Sequence, residues 1–430
     1  MKLKNFLLSL TFLSSLLNFI SPLQRTNLFE PYEWLLDPVR FDCYEEFAGR
    51  DAYGIVCNAL YEGAFSIHGY CGSAIMGVPY IPPKGRRKGN PLHIFTKTEN
   101  SFASFLGYDP LNDARGALAQ QYVIDEGVLS DGQMSLHGDL SLHQVKLSLE
   151  KWINDQFRIG WYVPLYKITL HKIAVETKTA TPFFEYNLNN PFYKTLEHYD
   201  LFLKPYSMHG IGDSSLLLSW QNNFVEYRNT ITSMVCSAHG GLHLPTRMHQ
   251  ESEHKTFLPI PLGYDTSFGI ILGGALEAGI GRYVDLGIAA DCTVLIGSLK
   301  ERLIKTDVRQ TELLLLAQEK TYLDPGMHQK FDVYISGHDL YKNKILTVAY
   351  QYNKQHDSDL IVCSDHFSTL VASSSQTLDP WSTHSATFIG TIINPFGLDN
   401  TIISGFLKYG LSGERSLVSS TAGFSLSLMF

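Results

Sequence analysis

The last eleven residues, 420–430, read STAGFSLSLMF. Apolar side chains take every second position, at Phe424, Leu426, Leu428 and Phe430, and small or polar side chains lie between them. A two-residue period is typical of a β-strand with one face toward an apolar medium and the other toward a polar one. Chain ends usually fray, so a regular strand that reaches the last residue has to be held by neighbours on both sides. The terminus therefore predicts a strand of a closed sheet.

The composition limits the class of protein. The chain has 430 residues, of which 44% are hydrophobic and only 18% are charged, whereas an average soluble domain has about 25% charged residues. The mean hydropathy is nevertheless close to zero, which is too low for a bundle of membrane-spanning helices. The formal net charge of −8 disfavours a nucleic-acid partner, which requires clustered basic residues.

The first residues have the layout of a secretory signal. Lys2 and Lys4 precede a mainly apolar run over residues 6–20, which is shorter than the ~20 residues that a membrane-spanning helix needs. The sequence predicts a signal peptide over residues 1–22 and export from the cytoplasm, with an uncleaved anchor as the alternative. Beyond this segment no apolar run is long enough to predict a membrane-spanning helix.

Alternation of the same kind recurs along the chain. In RYVDLGIAADCTVLIG, residues 282–297, seven consecutive even-numbered positions are apolar. The stretches ILTVAYQYN (345–353), RIGWYVPLY (158–166) and SSLLLSW (214–220) follow the same period. Less regular stretches lie near residues 134–149, 230–243, 267–278, 329–336, 385–394 and 401–410. The pattern predicts roughly ten to fourteen strands, many of them longer than the 5–6 residues of a typical soluble strand.

The length of these strands favours a membrane protein. A strand that crosses an outer membrane needs about 9–11 residues, with a polar lumen on one face and aromatic girdles near its ends. In a bilayer every backbone N–H and C=O must be paired internally, so such a sheet has to close on itself. Aromatic residues suited to the girdles are Trp161, Trp220, Tyr350, Tyr352, Phe388, Phe406 and Tyr409. The prediction is an all-β fold, a closed antiparallel transmembrane β-barrel of about 12–14 strands; a large secreted β-sandwich is the alternative.

Two segments carry a resemblance to known families. The final strand with its terminal Phe430 resembles the assembly signal of Gram-negative outer-membrane β-barrel proteins, and this barrel resemblance covers roughly residues 110–430. It implies location in the outer membrane of a Gram-negative bacterium, with outer-membrane lipid and the barrel-insertion machinery as partners. The residues that would form the assembly signal are Phe424, Leu426, Leu428 and Phe430.

The second resemblance rests on a short motif. In MHGIGDSSLLLSW, residues 208–220, Gly210, Gly212 and Asp213 lead into a long strand. This segment is similar to segments of porin-like barrels that include the fatty-acid and aromatic-hydrocarbon uptake transporters. Its physical content is a tight Gly-Asp turn before a strand.

The chain divides into three regions. After the signal, residues 23–110 are irregular and rich in Gly and Pro, and they form either a plug inside the barrel or its first strands with long loops. Residues 111–430 carry the main barrel. Its longest interruption, residues 299–326, is more charged than its surroundings. We interpret it as a hairpin that extends past the membrane, with a short helix on a loop as the alternative.

In a closed barrel the polar face of each strand lines the lumen. Asp285 and Asp291 are six residues apart on one such face, and Glu277 lies on the preceding strand. The other pore-lining candidates are Tyr283, Thr347 and Gln351. Carboxylates in a pore give a preference for cations; alternatively, they pair with basic residues of the lumen and brace the wall.

Motifs that would carry covalent chemistry are scarce. The segment HGGLHLPTRMHQESEH holds four histidines, which are weak metal-ligand candidates because Gly240, Gly241 and Pro245 disfavour a helix that would align them. We interpret the segment as a polar loop at the barrel rim and predict no metal or cofactor. The four histidines are His239, His243, His249 and His254. A Ser/His site of the lipase or protease type would use His366, Ser368, His384 and Ser385.

Three functional hypotheses follow from the predicted barrel. The first is an outer-membrane channel or uptake protein that passes small solutes without covalent chemistry. The second is an enzyme on the same fold, a lipase or a protease. The third is a surface anchor or adhesion protein, in which the barrel serves only to hold the chain in the membrane. The absence of nucleotide-binding and hydrolase motifs places the channel first.

Overall fold

The structure is a computed structural model that describes part of the chain. The described residues are 30, 32–37, 54–71, 87–94, 99–100, 107–109, 111–113, 116, 133–177, 205–225, 230–246, 248–249, 267–308, 310, 315, 317–338, 343–398 and 400–430. The predicted signal peptide lies outside these residues. Within them, no helix is long and apolar enough to cross a membrane.

Almost all regular structure in the described residues is β-strand. The strands are β1 (Ile55–Cys71), β2 (Arg87–Gly89), β3 (Glu99–Asn100), β4 (Gln133–Trp152), β5 (Phe157–Thr177), β6 (Tyr206–Ile211), β7 (Ser214–Val225), β8 (Ile231–Leu244), β9 (Met248–His249), β10 (Gly269–Ile280), β11 (Val284–Leu295), β12 (Ser298–Ile304), β13 (Ala317–Asp324), β14 (Met327–His338), β15 (Lys344–Gln355), β16 (Asp359–Val362), β17 (Trp381–Ile393), β18 (Thr401–Glu414) and β19 (Ser416–Met429). One short helix, α1, spans Thr369–Ala372. Single 3₁₀ turns lie at Trp34–Leu36, Pro91–Ile94, Gln376–Leu378 and Pro395–Gly397.

Twelve of these strands close into one antiparallel barrel. Their order around the wall is β1, β4, β5, β7, β8, β10, β11, β14, β15, β17, β18 and β19, and β19 returns to pair with β1. Closure leaves no free strand edge in the wall, so the backbone of each strand is paired on both sides. The predicted closed antiparallel barrel of about 12–14 strands is confirmed. Its first strand, β1, belongs to the N-terminal region.

The connections differ between the two ends of the barrel. At the end that holds Phe430, β4 joins β5 through residues 153–156 and β10 joins β11 through residues 281–283. At the other end most connections are longer, and β12, β13 and β16 form a separate three-stranded sheet above the wall. The predicted hairpin over residues 299–326 is confirmed as β12 and β13. Phe430 therefore lies at the end of the barrel that has the short turns.

The barrel is apolar outside and polar inside. Outward side chains include Leu216, Leu218, Ile270, Leu272, Leu286, Ile288, Val333, Ile335, Leu346, Val348, Phe388 and Leu407, all of them exposed. Inward side chains include Gln144, Lys146, Glu150, Arg158, Ser215, His239, Glu277, Asp332, Gln351, Thr387 and Lys408, all of them buried. This distribution is the reverse of a soluble domain and is that of a membrane-spanning barrel.

One of the residues assigned to the aromatic girdles is placed differently. Phe406 was predicted to face the membrane interface, but its side chain is only 4% exposed and packs inside the barrel beside Leu60 and Ile389. Its neighbour Leu407 faces outward instead. A strand with apolar residues on both faces does not show by period alone which face is outside.

The terminal strand has the alternation that the sequence predicts. Phe424, Leu426 and Phe430 face outward, while Ser425 and Ser427 are buried on the lumen side. β19 lies between β18 and β1. The last residue is held by two backbone hydrogen bonds, from Phe430 N to Ile55 O at 2.9 Å and from Ile55 N to Phe430 O at 3.0 Å. The terminus thus seals the barrel.

Deletion of Phe430 is expected to lower the yield of assembled barrel. The change removes both hydrogen bonds to Ile55, each of which contributes about 1 kcal/mol, and it leaves the closing edge frayed. The measurement is the fraction of expressed protein that migrates as a folded, heat-modifiable band from outer-membrane preparations. Phe396→Ala is the control, because this aromatic side chain lies in a turn and is almost fully exposed. Equal yields of deletion and control would contradict an assembly role for the terminus.

Candidate functional site

The barrel interior is occupied by a segment from the N-terminal region. Glu30 and residues 32–37, called here the plug segment, contact inward side chains from opposite parts of the wall. Its centre is the 3₁₀ turn Trp34–Leu36, whose three side chains are buried. The plug segment precedes β1 and fills the lumen without belonging to the wall. It is therefore the first candidate for the functional element.

Glu33 makes the most extensive polar contacts of the plug segment. Lys146 Nζ of β4 donates to its Oε2 at 3.1 Å, and Lys408 Nζ of β18 donates to its Oε1 at 2.9 Å. Gln351 Nε2 of β15 also donates to Oε1, at 3.2 Å. Three strands of the wall thus converge on one carboxylate. All four side chains are buried, so the two ammonium groups and the carboxylate compensate one another out of bulk water.

A second ion pair joins Asp37 to the wall. Arg158 of β5 donates through Nη2 to Asp37 Oδ2 at 2.6 Å and through Nη1 to Glu150 Oε2 at 2.6 Å. The same guanidinium lies 5.9 Å above the ring of Trp152. One arginine therefore holds a plug carboxylate and a wall carboxylate together. Its planar fork suits this task, because a guanidinium can serve two carboxylates at once.

The third plug carboxylate meets β14. Glu30 Oε1 lies 3.5 Å from His328 Nε2, and Glu30 Oε2 lies 3.5 Å from Lys330 Nζ. Glu30, Glu33 and Asp37 each have a basic partner on the wall. The plug segment is therefore held by charge at three separate points.

Apolar and aromatic contacts add to the ion pairs that hold the plug segment. The wall side chains that contact the plug segment are called here its seat. Leu35 and Leu36 pack in one cluster with wall residues that include Leu60 and Phe406. On the opposite flank, Tyr32 lies edge-on to Tyr162, with ring centroids 4.9 Å apart. The remaining plug aromatic packs near a histidine of β8: the Trp34 and His239 rings are stacked with centroids 6.3 Å apart. Charge fixes the position of the plug segment and packing excludes water around it.

Two polar contacts inside the wall pass over a glycine on the strand between them. His239 Nε2 of β8 lies 2.8 Å from Asp291 Oδ1 of β11, and Gly273 of β10 stands opposite both residues. A side chain at Gly273 would collide with both groups. The same arrangement recurs one strand further on, where Tyr334 Oη donates to Glu277 Oε2 at 2.8 Å across Gly287.

The remaining sequence-predicted lumen residues are placed as follows. Asp285 pairs with His338, and Thr347 shares a hydrogen bond of 2.9 Å with Ser336. Tyr283 lies in the turn between β10 and β11 and its side chain is half exposed. Each of Asp285, Asp291 and Glu277 has a partner on another strand. Their geometry is that of carboxylates that brace the wall, and their charges also face the lumen.

The Gly212–Asp213 motif interrupts a strand of the wall. β6 and β7 both pair with β5, and these two residues separate them. Gly212 N donates to Pro164 O at 2.7 Å, while Asp213 turns inward and lies 3.5 Å from His243 Nε2. The sequence predicted a turn before a strand. The structure shows a break within the wall, opposite a proline that has no N–H for the ladder.

A small polar cavity lies between the plug segment and the wall. It is lined by Glu30, Tyr32, Ser215, His243, Ile271, Asp291, Thr293, His328 and Lys330. The lining comes from the plug segment, β7, β8, β10, β11 and β14. Carboxylates, imidazoles and one ammonium group meet there.

The histidine-rich segment differs from the predicted rim loop. His239 and His243 lie within β8, four residues apart on its lumen face. Two glycines break a helix but are tolerated in a strand whose neighbours pack closely. His249 belongs to β9, and His254 lies outside the described residues. In the described part of the chain, no group of three or more His, Cys, Asp or Glu side chains is arranged to hold a metal ion.

The Ser/His candidates for hydrolysis are not brought together. His384 and Ser385 are adjacent in β17 and point to opposite faces: His384 ring nitrogen Nδ1 lies 2.6 Å from Tyr350 Oη on the outside. Ser385 Oγ donates to Gln351 Oε1 at 3.3 Å on the lumen side. His366 and Ser368 lie in the loop before α1. In β17, therefore, the imidazole and the adjacent hydroxyl do not lie within reach of each other.

Comparison with known proteins yields only structural matches. No protein-family model matches the chain, and no curated protein matches it. The toluene transporter TbuX of Ralstonia pickettii is 10% identical, with 89% of this chain and 90% of that chain covered and a TM-score of 0.32. The toluene transporter TodX of P. putida is 9% identical, with 89% and 92% covered and a TM-score of 0.33.

The translocator domain of the autotransporter NalP from Neisseria meningitidis is also similar. It is 6% identical, with 91% of this chain and 94% of that chain covered and a TM-score of 0.29. The structural matches include outer-membrane β-barrels.

Proposed function

We propose that this protein is an outer-membrane channel for the uptake of small solutes, closed in the present structure by the plug segment. The observation that carries the proposal is the set of ion pairs between three plug carboxylates and the wall. A barrel that served only as an anchor would be filled most simply by apolar side chains, because buried ion pairs add little net stability over a packed apolar core. A channel that opens and closes needs a polar lumen and a blocking segment that is not part of the wall, and the barrel has both.

Opening would require the plug segment to leave its seat or shift within it. The free-energy cost of this release is moderate because the carboxylates and ammonium groups regain hydration in water, whereas an apolar plug would expose apolar surface. Departure would uncover Lys146, Arg158, Lys330 and Lys408 on the wall. The opened lumen would then present charged and polar groups to a solute along its length. No covalent step is part of this function.

Reconstitution in a planar bilayer tests the proposal directly. We expect the purified full chain to give brief, discrete current steps, because the plug segment is held by contacts that can open and close. A protease-protection assay on the same preparation establishes that the protein has inserted. Inserted protein that stays silent, both as the natural chain and with the plug ion pairs removed, would overturn the channel function and favour the anchor hypothesis.

Replacement of Asp291 by Asn is expected to lower the cation-to-anion permeability ratio of the open channel. Asp291 lines the polar cavity, and its carboxylate adds a negative charge to the lumen. Reversal potentials under a salt gradient measure the ratio. Asp359→Asn, which removes an exposed carboxylate from β16 outside the wall, is the matched control. An unchanged ratio in Asp291→Asn would restrict this residue to bracing.

The same proposal extends to the surroundings of the barrel. The exposed apolar belt fits outer-membrane lipid, and we propose that the barrel-insertion machinery reads the terminal strand from Phe424 to Phe430. Support for this comes from the exposed aromatic side chains of that strand, 58% for Phe424 and 76% for Phe430. An N-terminal signal would bring the chain to the periplasm before insertion.

A further inference from the structure

We propose that Glu33 occupies a carboxylate-binding site of the barrel wall, and that a small carboxylate solute takes the place of this side chain when the channel is in use. The inference rests on the proposed uptake function and names its class of substrate. The solute would be selected because it restores the contacts that the plug segment gives up.

The donors around Glu33 form a complete site. Lys146 and Lys408 each address a different carboxylate oxygen, at 3.1 and 2.9 Å, and Gln351 adds a third donor at 3.2 Å. The exposed fractions of the three donor residues are 6%, 3% and 0%. They project from β4, β18 and β15, so no movement of a single loop disperses them. Such preformed, charge-assisted donors are what a carboxylate requires.

The wall does not neutralise this site by itself. Glu62 of the wall is 4.0 Å from Lys146, and its oxygens already accept from Gln144 and Thr421. The buried Asp332 stands opposite Gln351 on the neighbouring strand. Lys408 has Glu33 as its ion-pair partner. Removal of the Glu33 side chain therefore takes from Lys408 its ion-pair partner and from Lys146 the closer of its two carboxylates. Leaving such groups uncompensated is costly, so an anion is drawn in.

The geometry favours a carboxylate over a neutral solute. Two ammonium groups and one amide approach two oxygens of a planar group, and an amide ligand would turn an N–H toward one of the lysines. A contact between the N–H of an amide ligand and a lysine ammonium is repulsive because both groups are donors, whereas a carboxylate oxygen in the same place is attracted. Propionate carries the same terminal group as a glutamate side chain, and propionamide is its neutral counterpart of similar size. These two compounds are therefore the probes.

The experiment is chemical rescue of full-length Glu33→Ala in detergent. Thermal unfolding, followed by the loss of the heat-modifiable band, is measured against propionate and propionamide at constant ionic strength. We expect propionate to raise the unfolding temperature of Glu33→Ala, with a half-maximal effect at a concentration about tenfold lower than that of propionamide, since one charge-assisted contact corresponds to about a factor of ten in affinity. The natural chain, whose site is filled, should respond to neither compound.

Matched variants decide between a specific site and a general salt effect. Glu33→Ala/Lys408→Met should lose the response to propionate, whereas Glu33→Ala/Lys354→Met, which removes a lysine from the other face of β15, should keep it. If Glu33→Ala does not fold, Glu33→Ser is used, because its short side chain also leaves the site vacant, and the same order of the two compounds is expected. Equal responses to propionate and propionamide, or a response that survives Lys408→Met, would overturn the carboxylate site. Current steps from the same preparations test the channel separately, so a conducting barrel without rescue would leave the proposed function standing.

Discussion

A full-length variant that carries Glu33→Gln and Asp37→Asn is expected to conduct at least about tenfold more current per inserted molecule than the natural chain. The two substitutions keep the size of both plug side chains and remove their charges. Lys408 then faces a neutral partner, and Lys146 and Arg158 keep only the wall carboxylates Glu62 and Glu150. Breaking one partner of a buried ion pair costs about 3–5 kcal/mol, and each 1.4 kcal/mol is a factor of ten in an equilibrium constant. Even a fraction of that cost shifts the plug segment out of its seat.

The measurement is macroscopic current in a planar bilayer, divided by the amount of inserted protein. Asp357→Asn/Asp359→Asn is the matched control, because it also removes two carboxylates, and both of these are exposed beyond the wall. The control should conduct like the natural chain. A plug variant that inserts, migrates as a folded barrel and still conducts at the natural level would show that the plug ion pairs do not close the lumen.

The size of this effect depends on how the plug segment is held. The packing of Leu35 and Leu36 against Leu60 and Phe406 persists in the variant, and it opposes release. Polar contacts decide the outcome nevertheless. In the closed variant, buried ammonium groups of the wall have lost carboxylate partners, and they regain hydration only when the plug segment leaves. The ion pairs therefore control the equilibrium between the bound and the released plug segment. The apolar packing controls how completely the bound segment blocks the lumen.

The sequence predicted the wall well because the wall follows a single rule. A strand between lipid and a polar lumen has to alternate, and β11 shows this period over most of its length, whereas β19 shows it from Phe424 onward. The rule loses force where both faces are apolar. Phe406 and Leu407 are neighbours of similar hydrophobicity, and only the packing of Phe406 around the plug segment decides which of them faces inward.

The candidate site was predictable only in part. Asp291 and Glu277 were identified as lumen residues, but their partners His239 and Tyr334 lie far away in sequence. Barrel register brings them together across an intervening glycine, and register depends on the pairing of every strand around the wall. The plug contacts are still more distant: Glu33 and Lys408 are separated by 375 positions.

The segment FEPYEWLLDP, residues 29–38, itself indicates a buried segment that pairs with the wall. It places three carboxylates among apolar and aromatic side chains, which is unusual for an exposed linker. Carboxylates in such surroundings need basic partners when they are buried. Lysines and arginines on the polar face of predicted strands, such as Lys146, Arg158 and Lys408, were the available partners. Together, the two observations favour the plug for this segment over the alternative of first strands with long loops.

Replacement of Arg158 by Met is expected to destabilise the barrel by about 3–5 kcal/mol. The substitution keeps an apolar stem of similar length and leaves Asp37 and Glu150 buried as two like charges with no cation between them. Urea titration of the folded protein in micelles gives the change in the free energy of unfolding. Lys172→Met is the matched control, since its pair with Asp139 lies at the surface, with side chains 76% and 53% exposed. Solvent screens that pair, and little change is expected.

A further variant separates lost charge balance from lost packing. Glu150→Gln/Arg158→Met removes one of the two stranded carboxylates, so it should recover a large part of the stability that Arg158→Met loses, although it carries one more substitution. Arg158→Lys keeps the charge but not the fork that reaches both carboxylates at 2.6 Å, and it should fall between the natural chain and Arg158→Met. If Glu150→Gln/Arg158→Met were less stable than Arg158→Met, the guanidinium would act through its contact with Trp152 and not through the two carboxylates, and the ion pair would have no part in seating the plug segment.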